Sequence, residues 1–168
     1  MAVRAPLLRP LALALALAAC GPGATGAAAP ATRPEVLPPV DVRPLDGAPR
    51  LASAIEGRPA LVSLWATWCE PCRDEIPALA RLDGWARAHG AVVVAVAIGE
   101  GADKVTTFRK DTPMPYAVYV DEEHRFADAL AERSVPATLV LDRTGRIVFR
   151  GGALDARAEE ALKAAAER

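Results

Sequence analysis

Apolar and polar positions fall into blocks with different periods along this chain. Residues 11–19 (LALALALAA) are an unbroken apolar run with no polar face, preceded by Arg4 and Arg9. The run is too short for a membrane span of about 20 residues and fits the roughly 7–15 of a signal-peptide core. Residues 21–39 carry almost no large apolar side chain and are rich in Gly, Pro, Ala and Thr, which predicts a flexible linker. From residue 40 onward, apolar runs alternate with amphipathic stretches. Residues 40–45 (VDVRPL), Asp46-Gly47 and Arg50-Leu51 predict a short β-hairpin turning at Asp-Gly. Residues 60–66 (ALVSLWA) predict a strand buried on both faces.

A helix is expected over 70–89, with Ile76, Leu79, Leu82 and Trp85 at three-residue steps and Gly90 just past its end. Residues 91–98 (AVVVAVAI) read as a second buried strand, parallel to the first because a helical crossover joins them. An amphipathic segment over 103–110, a strand over 116–120 and a helix over 122–132 follow. Strands over 137–141 and 146–150 flank the turn 142–145 and are antiparallel, and a last helix covers 155–167. The sum is an α/β domain with a mixed sheet flanked by helices.

Composition narrows the function classes. Lys and Arg number 20 against 21 Asp and Glu, and aromatics are 5%, so neither a basic footprint nor a stacking surface for nucleic acid is present. Three cysteines are too few for a disulfide-dense secreted scaffold, and their odd number separates one from a pair.

The single cysteine closes Leu17-Ala18-Ala19-Cys20, which resembles the bacterial lipobox. That resemblance implies a lipid on Cys20 and cleavage just before it; the competing reading is ordinary cleavage near Ala27-Ala28-Ala29. A diacylated cysteine anchors more firmly than one chain. The expected organisation is therefore a signal peptide over 1–19, a lipidated cysteine and linker over 20–39, and a folded domain over 40–168.

The pair is Cys69-Glu70-Pro71-Cys72, placed between a predicted buried strand and a helix start. Free amides and the dipole at a helix N-terminus favour a thiolate, the nucleophilic form. Residues i and i+3 face one another, so the two sulfurs can close a small ring. Cys69 is expected as the exposed attacker and Cys72, one turn deeper, as the resolving thiol. Pro71 suits the first turn, where its missing N–H costs nothing. Two other readings compete: a purely structural disulfide, which so short a loop would stabilise little, and half of a zinc site, for which only His89 and His124 remain as soft partners. Both histidines are expected to be structural, and neither a metal nor a cofactor is expected.

The run from Leu64 to Cys72 (LWATWCEPC), with Pro77 five residues on, resembles the thioredoxin superfamily, and within it the TlpA/ResA-like branch. The resemblance extends over residues 38–168, including Ala97-Ile98-Gly99-Glu100 and Ser134-Val135-Pro136-Ala137-Thr138. It implies a thioredoxin fold carrying an N-terminal β-hairpin and an inserted helix–strand. It also implies a cis bond before Pro136, which would turn the Val135 backbone toward a substrate strand beside Cys69. Glu100 and Glu75 match acids of that branch and are expected to act with the cysteines, relaying the proton of Cys72. Ser63 stands where thioredoxin has a buried Asp, so the relay falls to those two glutamates. Trp68 and Pro71 are expected on the substrate platform, and Trp65 in the core.

The activity implied is that of a membrane-tethered thiol-disulfide oxidoreductase outside the cytoplasmic membrane. Its implied substrates are disulfide-containing proteins such as apocytochrome c or copper-site assembly proteins. Its implied electron donor is a membrane thiol transporter of the DsbD/CcdA type. A metallochaperone of the same fold would need a wider cysteine spacing and a His ligand. A thiol peroxidase would need Thr-x-x-Cys, and Thr67-Trp68-Cys69 has another spacing.

Overall fold

The computed structural model describes residue 1 and residues 35–168; the signal peptide, Cys20 and most of the linker expected above lie outside the described residues. The elements are β1 (Arg43–Pro44), α1 (Leu51–Ile55), β2 (Ala60–Trp65), α2 (Glu70–Ala88), β3 (Val92–Ile98), α3 (Ala102–Asp111), β4 (Ala117–Asp121), α4 (Arg125–Ala129), β5 (Ala137–Leu141), β6 (Ile147–Gly151) and α5 (Ala156–Ala166). The strands form one six-stranded sheet in the order β1-β4-β3-β2-β5-β6. β2, β3 and β4 are parallel neighbours, while β5 runs antiparallel to β2, β6 to β5 and β1 to β4. This is the mixed sheet the alternation of apolar blocks predicts.

β2 lies at the centre, and all six of its residues are buried. Its side chains alternate between two cores, as the period of two in a strand requires. Leu61 and Trp65 join Ile76, Leu79 and Leu82 of α2 and Leu162 of α5 on one face. Val62 and Leu64 join Phe126 and Leu130 beyond the other face, with Leu51 of α1. A strand covered on both sides has no polar face to write into its sequence, which is why the run reads as continuous apolar.

Three expectations are corrected. The N-terminal β-hairpin does not form. Asp46 and Gly47 do turn with left-handed φ of 53° and 71°. The chain then enters α1, and β1 pairs with β4 through Arg43↔Val120 and Pro44↔Tyr119. Pro49 has no amide for a ladder, and Leu51, Ala54 and Ile55 repeat at helical spacing and bury that face.

The helix expected over 122–132 is only Arg125–Ala129. Asp121 Oδ2 accepts the amides of Phe126 and Ala127 at 3.0 Å each, which starts the helix late. His124 (φ 60°) and Ala131 (φ 56°) bound it in left-handed conformations.

Residues 35–39, expected in the linker, are docked on the domain instead. The Ile147 amide donates to the Glu35 carbonyl at 2.7 Å, and Val36 bridges Arg146 antiparallel. Leu37 packs on the second core. A strand edge with free amides accepts even two residues of partner backbone.

Candidate active site

β2 delivers the chain to the site and α2 receives it. Cys69 is the N-cap residue of α2, and its Sγ accepts the Cys72 amide at 3.3 Å. The amides of the first helical turn have no intrahelical partner, so the sulfur of the capping cysteine satisfies one of them. Pro71 occupies the first turn, where no amide is needed. Cys69 and Cys72 are joined in a disulfide, S–S 2.05 Å, with Cα atoms 5.3 Å apart. In this form Cys69 is 4% exposed and Cys72 2%, so the exposure expected of Cys69 is not seen in the disulfide. Trp68, at 66%, is exposed beside the pair, as are Glu70 and Pro71.

The loop before β5 lies beside it. The Val135–Pro136 bond is cis, as the resemblance implies. Trp68 and Val135 border the same cleft of about 290 Å³, together with Leu64, Ile98, Ala127 and His124. His124, expected on an exposed helix with a structural role, therefore stands at the cleft wall. Its ring occupies space that a Cβ on Gly99 would invade at 2.5 Å. The segment leading into this loop is tied to β6. Arg150 of β6 pairs with Glu132 at 2.7 Å and donates to the Leu130 carbonyl at 3.3 Å.

The two glutamates differ in state. Glu75 is buried one turn after Cys72 on α2, and its Oε1 accepts the Leu154 amide at 2.9 Å. Burial raises its carboxyl above the ordinary 4.5, against the opposing pull of that bond. Glu100 follows β3 and is also buried. Its Oε2 accepts the Thr67 amide at 2.6 Å, and its Oε1 takes the Thr67 hydroxyl at 2.6 Å and the Lys104 ammonium at 2.6 Å. Burial pushes this carboxyl up, but the bonds from Lys104 and then Thr67 outweigh it and hold the group below 4.5. Glu100 is thus an ion held by three donors, whereas burial favours the protonated form of Glu75. Ser63 is buried on β2 opposite Thr138 of β5, so no carboxylate stands at that point of the strand.

Sequence reasoning located both cysteines, both acids, Trp68 and the Val135–Pro136 loop, and the fold brings them to one end of the sheet. It missed Thr67, Lys104 and Arg150. The Lys104 signal was legible, an acid four residues ahead of a lysine. The other two partnerships span the chain. Among the described residues no group of His, Cys, Asp or Glu could hold a metal ion, and no helix is long and apolar enough to cross a membrane.

A central parallel trio flanked by antiparallel strands, a disulfide at the N-cap of the helix after β2, and a cis-proline just before β5 define a thioredoxin fold. Residues 35–150 match the AhpC/TSA family, and the chain belongs to that family. It is 30% identical over 96 residues to thiol-disulfide oxidoreductase ResA of Bacillus subtilis, covering 57% of this chain and 54% of that protein. It is also 30% identical over 112 residues to the thioredoxin-like protein YneN of Bacillus subtilis, 66% of this chain and 65% of the relative. The chain thus spans a little over half the length of the ResA protein it matches. Among solved structures it resembles a secreted thiol-disulfide isomerase from Corynebacterium glutamicum, with TM-score 0.69 and 22% identity over 79% of this chain and 86% of that one. A thiol:disulfide interchange protein of the thioredoxin family from Chlorobium tepidum gives TM-score 0.64 and 23% identity, covering 80% and 97%.

Proposed function

We propose that this chain is a thiol-disulfide oxidoreductase working outside the cytoplasmic membrane, tethered through lipid on Cys20, and acting as a reductant of protein disulfides. The observation that carries the reading is the capping geometry: the Cys69 sulfur accepts the Cys72 amide at 3.3 Å. The same amide and the helix dipole stabilise negative charge on that sulfur once the ring is opened.

In the proposed cycle the Cys69 thiolate attacks one sulfur of a substrate disulfide. A mixed disulfide forms and the other substrate sulfur leaves as a thiolate. Cys72 then loses its proton, for which Glu75 is the acceptor, and attacks the Cys69 sulfur. The substrate departs with both cysteines reduced, and two electrons have moved from the Cys69–Cys72 pair. Trp68, Pro71, Val135 and Pro136 form the surface that meets the substrate, with the Val135 backbone open to pairing by an extended segment. The resemblance to ResA supports apocytochrome c or a copper-site assembly protein as substrate, and a DsbD/CcdA-type membrane thiol transporter as electron donor.

The test is a trapping experiment in cells with the full chain. Cys72→Ala accumulates mixed disulfides with partner proteins, and Cys69→Ala does not. Equal trapping by both variants, or by neither, refutes the division of labour between the two sulfurs.

A further inference from the structure

Thr67 stands two residues ahead of Cys69, in the turn that the Cys69 amide closes onto the Ala66 carbonyl at 3.1 Å. Its own amide and hydroxyl both end on Glu100, at 2.6 Å each. One carboxylate after β3 therefore ties down the segment that carries the attacking sulfur. That carboxylate is 2% exposed, and its cationic partner, Lys104 of α3, is 58% exposed. An unpaired carboxylate so deeply buried would take up a proton. A protonated carboxyl offers fewer acceptor sites and a weaker hold on both Thr67 donors.

Of the other ionisable groups at this corner, Glu122 and His124 are exposed, and Asp121 is buried with its Oδ2 taking the Phe126 and Ala127 amides. Glu122 Oε1 lies 3.2 Å from where a Cβ on Gly101 would sit, and the His124 ring packs against Gly99. Lys104 is the cation in contact with Glu100.

We propose that Lys104 and Glu100 are positioning residues for disulfide exchange: Lys104 keeps Glu100 ionised, and ionised Glu100 holds Thr67 so that Cys69 caps α2. The proposal rests on Cys69 being the attacking thiol. It gives Glu100 the task of a brace, in place of the proton relay expected from sequence, and assigns to Lys104 a role no motif marks.

The readout is the rate of Cys69 alkylation by iodoacetamide in the full chain carrying Cys72→Ala, followed from acid to neutral pH. Adding Lys104→Met slows alkylation about tenfold at acid pH, the equivalent of one charge-assisted hydrogen bond. The deficit shrinks as the pH rises and Glu100 ionises unaided, and Lys104→Arg follows the parent. A deficit that follows the titration of the Cys69 thiol alone reflects only a lost positive charge and overturns the proposal, as does no deficit at all.

Glu100→Gln and Glu100→Ala give a second measure. Glutamine never ionises and offers one acceptor oxygen to the two Thr67 donors, so Glu100→Gln shows at every pH the deficit that Lys104→Met shows at acid pH, and Glu100→Ala, with no acceptor, loses at least as much. Lys104→Met adds nothing further to Glu100→Gln. A Glu100→Gln variant that alkylates at the parent rate overturns the brace. A parent chain whose Cys69 alkylates no faster than free cysteine refutes the attacking-thiol reading itself, a result distinct from any of these.

Discussion

The Leu154 amide donates to Glu75 Oε1 at 2.9 Å, joining the active-site helix to the segment that leads into α5. The bond compensates only part of the cost of burying that acid, and the carboxyl remains above its ordinary 4.5. A raised carboxyl contributes most to stability when protonated. The contribution is complete below pH 4.5 and is lost as pH rises through the higher folded value.

Glu75→Gln keeps the acceptor for Leu154 and never ionises. It is expected to raise Tm at neutral pH, with the gain vanishing below pH 4.5, as thermal melts across pH will read. The same variant releases mixed disulfides more slowly, by about a hundredfold, the lower end of what positioned proton transfer contributes. Higher stability with unchanged turnover would leave Glu75 a cost of burial with no part in the exchange.

The reduction potential of the Cys69–Cys72 pair is expected between about −200 and −270 mV, the glutaredoxin-to-thioredoxin range. Equilibration with glutathione or a reference dithiol measures it. A value near the roughly −120 mV of a strong oxidant would reverse the direction of electron flow proposed above.

Asp121→Ala removes the acceptor that receives the Phe126 and Ala127 amides at 3.0 Å each. Two donors at the start of α4 then lose their partner, with an expected cost of about 2 kcal/mol in urea unfolding. Asp121→Asn, which keeps an acceptor oxygen, is expected to recover more than half of it.

Arg150→Met removes the 2.7 Å pair with Glu132 and the bond to the Leu130 carbonyl ahead of the Val135–Pro136 loop. The pair is partly buried, so the expected loss is about 2 kcal/mol, below the 3–5 of a fully buried pair. A loosened docking loop raises KM for a protein disulfide more than it lowers kcat. Steady-state reduction of insulin distinguishes the two.

What the sequence made legible follows the strength of its patterns. β2 and β3 announce themselves because each is covered on both faces, and α2 runs Glu70–Ala88 against an expected 70–89. The failures fall where a tertiary partner outweighs local pattern. Asp46-Gly47 has the conformation of a hairpin turn, but Pro49 and the apolar spacing of α1 divert the chain. The expected helix over 122–132 is cut short by a carboxylate from the preceding strand. At the site the cysteine pair is legible from spacing and position together. The state of each glutamate is legible only in part: Lys104 lies four residues from Glu100, but Thr67 reaches that carboxylate across 33 residues and Leu154 reaches Glu75 across 79.

The antiparallel bridge of Val36 to Arg146 also sets a polarity. Leu64 of β2 pairs with Ala137, next to the Val135–Pro136 loop, while Ala60 pairs with Leu141 at the other end. Leu141 in turn pairs with Ile147, the residue whose amide holds Glu35. The chain thus joins the domain at the pole away from the sulfurs, roughly 17–20 Å along strands of this length. Glu35 and Val36 thereby cover the start of the β6 edge, so the backbone groups there are not open to another chain.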